Sequence, residues 1–275
     1  MTVLEATGLG LVQGATEFLP VSSSGHLTLA ERAMGVRLDD ILALDVMLHA
    51  ATLAAMLVFF ARAWIRRIVA HPRLGLLALA AGVPAGLAYL AVRDEGVEAV
   101  KAQLWAVGVC FLAGGAFMTV ASLCSKRMHR DSDGAAPGGN DVSGLVHNGP
   151  RGLLDALAIG LAQAVALLPG VSRSGATISA GLLAGVGPEA AFEFSFLTGA
   201  PLMFGAVLVK ARGMNAIAGG LPAAAAAGTA AAFASGLVAL WLLRRAVIRG
   251  WLWAFGAYVA AVGVACLVWP NGGTT

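Results

Sequence analysis

Apolar residues dominate this chain in long unbroken runs, and six of them have the length of a membrane-crossing helix: roughly 41–61, 74–92, 104–124, 191–210, 217–243 and 251–269. About 20 apolar residues in a helix cross the ~30 Å of hydrocarbon in a bilayer, so each run predicts one span. Two further apolar segments, 4–34 and 152–187, are broken midway by proline, serine and glycine. Neither half of either segment is long enough to span. Irregular backbone is tolerated at membrane depth only where protein or a wet cavity satisfies its polar groups, so both segments read as re-entrant helical hairpins. Residues 125–150, SKRMHRDSDGAAPGGNDVSGLVHNGP, are polar and rich in glycine, and read as a linker.

Composition sharpens this picture. With 59% hydrophobic and only 12% charged residues among 275, the chain falls outside the range of ordinary soluble domains and fits a single membrane domain over 1–275. A net charge of +3 could suggest nucleic acid, but the basic residues lie between apolar runs and form no stripe, so no nucleic-acid partner is expected. Cys110, Cys124 and Cys266 have no metal-ligand spacing and are expected to be reduced packing residues. The N-terminus lacks the charged start and cleavage site of a secretory signal, and is expected to stay in the mature protein.

The two broken segments are related. A shift of 150 positions aligns Gly10, Leu11, Gln13, Val21, Ser22, Ser24 and Gly25 with Gly160, Leu161, Gln163, Val171, Ser172, Ser174 and Gly175. The expected fold is therefore an all-α polytopic membrane protein of two repeats, 1–124 and 151–275, each a re-entrant hairpin plus three spans. An odd number of spans between hairpins makes the second enter from the opposite face, which is inverted topology. Assigning Lys and Arg to alternate sides places 11 with the 125–150 linker and 6 opposite, so the linker is expected in the cytoplasm and the first hairpin on the outer face.

Ionisable side chains within apolar segments are costly and mark function. In the first hairpin Gln13 and Glu17 share a helical face aimed at the break formed by Pro20 and Ser22-Ser23-Ser24-Gly25, and His26 follows. In the second, Pro169-Gly170-Val171-Ser172-Arg173-Ser174-Gly175-Ala176-Thr177 places one arginine among hydroxyls at the start of the next helix. Backbone N–H groups at a helix N-terminus favour an anion, and a guanidinium adds a donor fork, so this stretch reads as a phosphate cradle. Asp45 and His49 lie four apart in the first span as support for the same site, while Glu189 and Glu193 read as structural.

These residues resemble the undecaprenyl-diphosphate phosphatases, also called bacitracin-resistance proteins, over nearly the whole chain. The family's first motif looks like Gln13-Gly14-Ala15-Thr16-Glu17 here, with Gln13 where some members carry Glu, and its second runs intact from Pro169 to Thr177. The resemblance implies removal of the terminal phosphate from a polyprenyl diphosphate in the bacterial cytoplasmic (inner) membrane. It further implies Ser23 as nucleophile, His26 as proton shuttle, Glu17 as base or metal ligand and Arg173 as phosphoryl clamp. Gln13, Ser22, Ser24, Gly25, Ser172, Ser174, Gly175 and Thr177 would bind substrate, with Mg2+ or Ca2+ on Glu17 and Gln13. A histidine nucleophile and a metal-activated water remain open, as does a homodimer. An inverted-repeat transporter, or a flippase for the lipid phosphate, is the alternative function.

Overall fold

The computed structural model describes residues 2–23, 26, 42–131, 150–212 and 223–268. Within them the chain forms nine helices and no strand: α1 Val3–Phe18, α2 Leu42–Ala70, α3 Pro72–Ala102, α4 Leu104–Asp131, α5 Pro150–Val165, α6 Arg173–Leu183, α7 Pro188–Arg212, α8 Ala223–Ile248 and α9 Leu252–Val268. Five of these, α2, α3, α4, α7 and α8, are long and apolar enough to cross a membrane. The outward stripe Leu76, Leu79, Val83, Leu87 and Leu90 on α3 is more than half exposed throughout, as a lipid-facing helix requires. The sixth expected span, 251–269, coincides with α9, whose 17 residues extend ~26 Å and fall short of the hydrocarbon thickness.

Helices outlast the apolar runs that announced them. α2 continues through Arg62, Arg66 and Arg67 to Ala70, and α4 continues to Asp131, inside the segment expected as linker. A helix keeps gaining one backbone hydrogen bond per residue until the backbone is broken, here at His71-Pro72 and at Gln103, while terminal cations stay in the interface. The second hairpin is helical on both sides of its break, in α5 and α6. At 16 and 11 residues these reach only ~24 and ~16 Å, so neither half spans. The second half of the first hairpin, the linker beyond Asp131 and the start of the 217–243 run lie outside the described residues.

Small residues let helices meet backbone to backbone. Gly10 and Gly14 on α1 face Gly228, Ala232 and Gly236 on α8, and a Cβ on Gly10 would sit 2.1 Å from the Gly228 carbonyl oxygen. α4 and α9 meet in the same way, with Gly108 against Gly263 and Gly115 against Gly256. α5 packs on α3, where Gly160 abuts the Ala81 carbonyl. Moving 150 positions along the chain carries α1 onto α5 and α3 onto α8, so the α1–α8 and α5–α3 contacts exchange under the shift that aligned the motifs.

An aromatic cluster fills the space between α1, α2 and α7. Phe18 meets Phe196 edge-on at 5.8 Å, and Phe60 stacks on Trp64 at 4.8 Å and on Phe196 at 5.4 Å. Ion pairs join α2 to α7 at both ends, Asp45 with Lys210 at 2.6 Å and Arg67 with Glu193, while Glu189 pairs with Arg244 of α8. Glu189 and Glu193 thus play the structural part expected of them. Cys110, Cys124 and Cys266 form no disulfide among the described residues.

Candidate active site

The site is built where the two helix breaks touch. α1 ends at Phe18 because Leu19 turns extended ahead of Pro20. Ser22 then adopts φ +66°, a left-handed conformation that a serine holds only when its surroundings enforce it, and Ser23 and His26 are again helical. In the second break Ser172 caps α6, its hydroxyl accepting the Gly175 N–H at 3.2 Å. Two bonds lock the breaks together: the Gly170 N–H donates to Ser22 Oγ at 3.2 Å, and Ser174 Oγ donates to the Phe18 carbonyl at 2.9 Å. Only glycine fits position 170, where φ is +99° and a Cβ would lie 2.8 Å from the Val107 carbonyl.

Glu17 stands at the junction. Its Oε1 accepts from Arg173 Nη2 at 3.3 Å, and its Oε2 accepts from Ser23 Oγ at 2.9 Å and Gln13 Nε2 at 3.2 Å. With side chains 9% and 23% exposed, the Glu17–Arg173 pair is largely shielded from water. Arg173 Nη1 also donates to the Gly199 carbonyl at 3.4 Å, which commits two of its five N–H groups among the described residues and leaves three for a ligand. Helix geometry leaves the first N–H groups of α6, beginning at Arg173, without intrahelical acceptors. One carboxylate, one hydroxyl and one guanidinium therefore converge beside a helix N-terminus, a set of groups chemically suited to an oxyanion and to a hydroxyl nucleophile.

The expected residues divide by what they touch. Gln13, Glu17, Ser23 and Arg173 come together, Ser22 and Ser174 tie the two tips, and Ser172 caps α6 within the second break. Gly175 and Thr177, expected to bind substrate, also make contacts with neighbouring residues. A Cβ on Gly175 would meet Met118 Sδ at 2.5 Å, and Thr177 Oγ1 donates to the Arg173 carbonyl at 2.8 Å and bonds Ser195. Ser24 and Gly25 lie outside the described residues. Asp45 holds His49 (Oδ1–Nδ1, 3.2 Å) as well as Lys210.

His26 departs from its expected partner. The ring is not bonded to Ser23: Nδ1 lies 2.9 Å from the Ser22 carbonyl and Nε2 lies 2.8 Å from the Tyr258 hydroxyl. The group positioned to take the Ser23 proton is Glu17, because the Ser22 carbonyl and α9 have captured both ring nitrogens. Two contributors carried no sequence signal. Gly199 accepts from Arg173 and leaves room for it, since a Cβ there would lie 3.3 Å from Nη1, and Tyr258 reaches His26 from α9.

Among the described residues no three His, Cys, Asp or Glu side chains gather as a metal cluster. The Gln13 Oε1 atom is nevertheless buried without a hydrogen-bond partner among those residues, an oxygen next to the Glu17 carboxylate that Gln13 Nε2 bonds. Such a pair suits a hard cation that takes its remaining oxygens from ligand and water.

The family described as "Bacitracin resistance protein BacA" matches residues 6–265. A protein of Syntrophotalea carbinolica named undecaprenyl-diphosphatase is 38% identical over 273 residues, covering 96% of this chain and 97% of its own. One of the same name from Rubrobacter xylanophilus is 41% identical over 221 residues, 75% of each chain. Another, from Methanobrevibacter smithii, is 36% identical over 287 residues and covers 96% of each.

Proposed function

Because the chain belongs to the bacitracin resistance protein BacA family, we propose that it hydrolyses undecaprenyl diphosphate to undecaprenyl phosphate and inorganic phosphate, recycling the carrier lipid for cell-wall synthesis. The observation that carries this reading is the Glu17 carboxylate, held at once by the Ser23 hydroxyl and the Arg173 guanidinium across the two hairpin tips.

The diphosphate charge docks on the three uncommitted Arg173 N–H groups and the N-terminus of α6. Ser23 Oγ attacks the terminal phosphorus while Glu17 takes its proton. The bridging P–O bond breaks, its electron pair leaving with undecaprenyl phosphate and the phosphoryl group remaining on Ser23. Water then attacks that phosphorus, the Ser23 oxygen leaves and recovers a proton, and inorganic phosphate departs. Mg2+ or Ca2+, held by Glu17 and the Gln13 carbonyl oxygen, would supply neutralisation of the diphosphate charge.

The two halves form inverted repeats in this account, supported by the exchange of the α1–α8 and α5–α3 contacts under the 150-residue shift. The Lys and Arg asymmetry supports a cytoplasmic linker and a site that opens to the outer face of the bacterial cytoplasmic membrane. Purified protein in detergent, given undecaprenyl diphosphate and a divalent cation, is expected to release inorganic phosphate. Release no greater than from heat-killed protein would reject the phosphatase in favour of a carrier.

A further inference from the structure

Between the first helix break and α9 lies a cavity of about 420 Å³ lined by Thr16, Leu19, Val21, His26, Ala254, Phe255 and Tyr258. Its walls are apolar apart from one threonine, one histidine and one tyrosine. The chain has only two tyrosines. A phenolic hydroxyl in an apolar helix costs free energy unless it is bonded, and a phenylalanine would pack against lipid as well, so the Tyr258 hydroxyl needs a reason to be there. Its partner is His26.

The hydrogen bonds assign the ring's proton. The Ser22 carbonyl, 2.9 Å from Nδ1, can only accept, so Nδ1 carries the hydrogen and the lone pair of the neutral ring lies on Nε2. Tyr258 donates its O–H to that lone pair across 2.8 Å. The two rings stack with centroids 5.7 Å apart and planes 19° apart, while Phe111 of α4 meets the imidazole edge-on at 5.8 Å. The wall holding His26 is itself fixed, since Gly256 and Gly263 seat α9 backbone-to-backbone on α4 around this tyrosine. The His26 backbone N–H also donates to the Ser22 carbonyl at 3.1 Å, so what holds the imidazole also holds the turn that carries Ser23.

We propose that Tyr258 is a positioning residue of the phosphatase, whose hydroxyl, bonded to Nε2, holds the ring plane of His26 and through it the turn that carries Ser23. The proposal rests on the phosphatase reading of the site, and its test has one arm that does not. Tyr258→Phe keeps the ring, and hence the packing of α9, and removes only the donor. Losing one hydrogen bond should lower kcat about 3- to 10-fold with KM within about twofold of wild type. It should also expose the Nε2 lone pair, so diethylpyrocarbonate should modify His26 several-fold faster, read by peptide mass spectrometry on the folded, detergent-purified protein. Tyr258→Ala serves as the comparison that also removes stacking. Wild-type kcat in the Phe variant, with loss only in the Ala variant, would show that the ring matters and the hydroxyl does not, which overturns the proposal. An unchanged modification rate in Tyr258→Phe overturns it too. Absence of phosphate release from wild-type protein would instead sink the phosphatase reading, and the modification arm would still decide the His26–Tyr258 pairing.

Discussion

Replacing Arg173 by lysine preserves a positive charge and removes a shape. The guanidinium reaches Gly199 through Nη1 at 3.4 Å and Glu17 through Nη2 at 3.3 Å, leaving three N–H groups in a rigid plane for phosphate oxygens. An ammonium has three N–H groups radiating from one atom. If it spends two on the carbonyl and carboxylate, one remains, and no two can bind parallel oxygens as a fork does. A hydrogen bond to a charged group contributes about 1.5–3 kcal/mol, so losing the equivalent of one such bond in the transition state slows turnover about 10- to 150-fold. Losing two approaches the damage of Arg173→Ala. The assay is phosphate release in detergent over a range of undecaprenyl diphosphate concentrations, so that kcat and KM are resolved separately. A Lys variant within about threefold of wild-type kcat would show that position 173 supplies charge alone and would refute the forked cradle.

Ser23→Ala should abolish turnover, whereas His26→Ala should retain measurable phosphate release, because Glu17 and not His26 accepts from Ser23; the reverse ranking in the same assay would make histidine the nucleophile. Gly199→Ala should lower kcat about tenfold at unchanged melting temperature, since its Cβ would press on Arg173 Nη1 at 3.3 Å and shift the clamp; wild-type turnover would show that the guanidinium has slack. Gly10→Val should destabilise the α1–α8 contact by about 1–3 kcal/mol, seen as a lower unfolding temperature in detergent, because even a Cβ would fall 2.1 Å from the Gly228 oxygen. Gly138→Cys, in a background without Cys110, Cys124 and Cys266, should resist an impermeant external thiol reagent in intact cells, and labelling there would reverse the orientation.

Much of this was legible in the sequence because lipid leaves few options for a polar residue. Glu17 and Arg173 stood out against apolar surroundings, and the structure joins them across 156 positions. Helix ends were less legible, since α2 stops at His71-Pro72 and runs past the point where apolar residues give out. Gly199 was invisible because its contribution is a carbonyl and an absent side chain, which a sequence with 36 glycines cannot distinguish. Tyr258 lies 232 positions from His26, and nearness along the chain suggested a Ser23–His26 pair where the Ser22 carbonyl and α9 turn the ring elsewhere.

The central claim is that the junction of Glu17, Ser23 and Arg173 cleaves a lipid diphosphate. Its most direct test follows the terminal phosphate of undecaprenyl diphosphate, radiolabelled at that position, through purified wild-type protein and Glu17→Gln in parallel. Label should leave the lipid as inorganic phosphate with wild type, and the Gln variant, unable to take the Ser23 proton, should be slower by about 10²- to 10⁴-fold. Label remaining on the lipid with wild type, or released equally fast by Glu17→Gln, would contradict it.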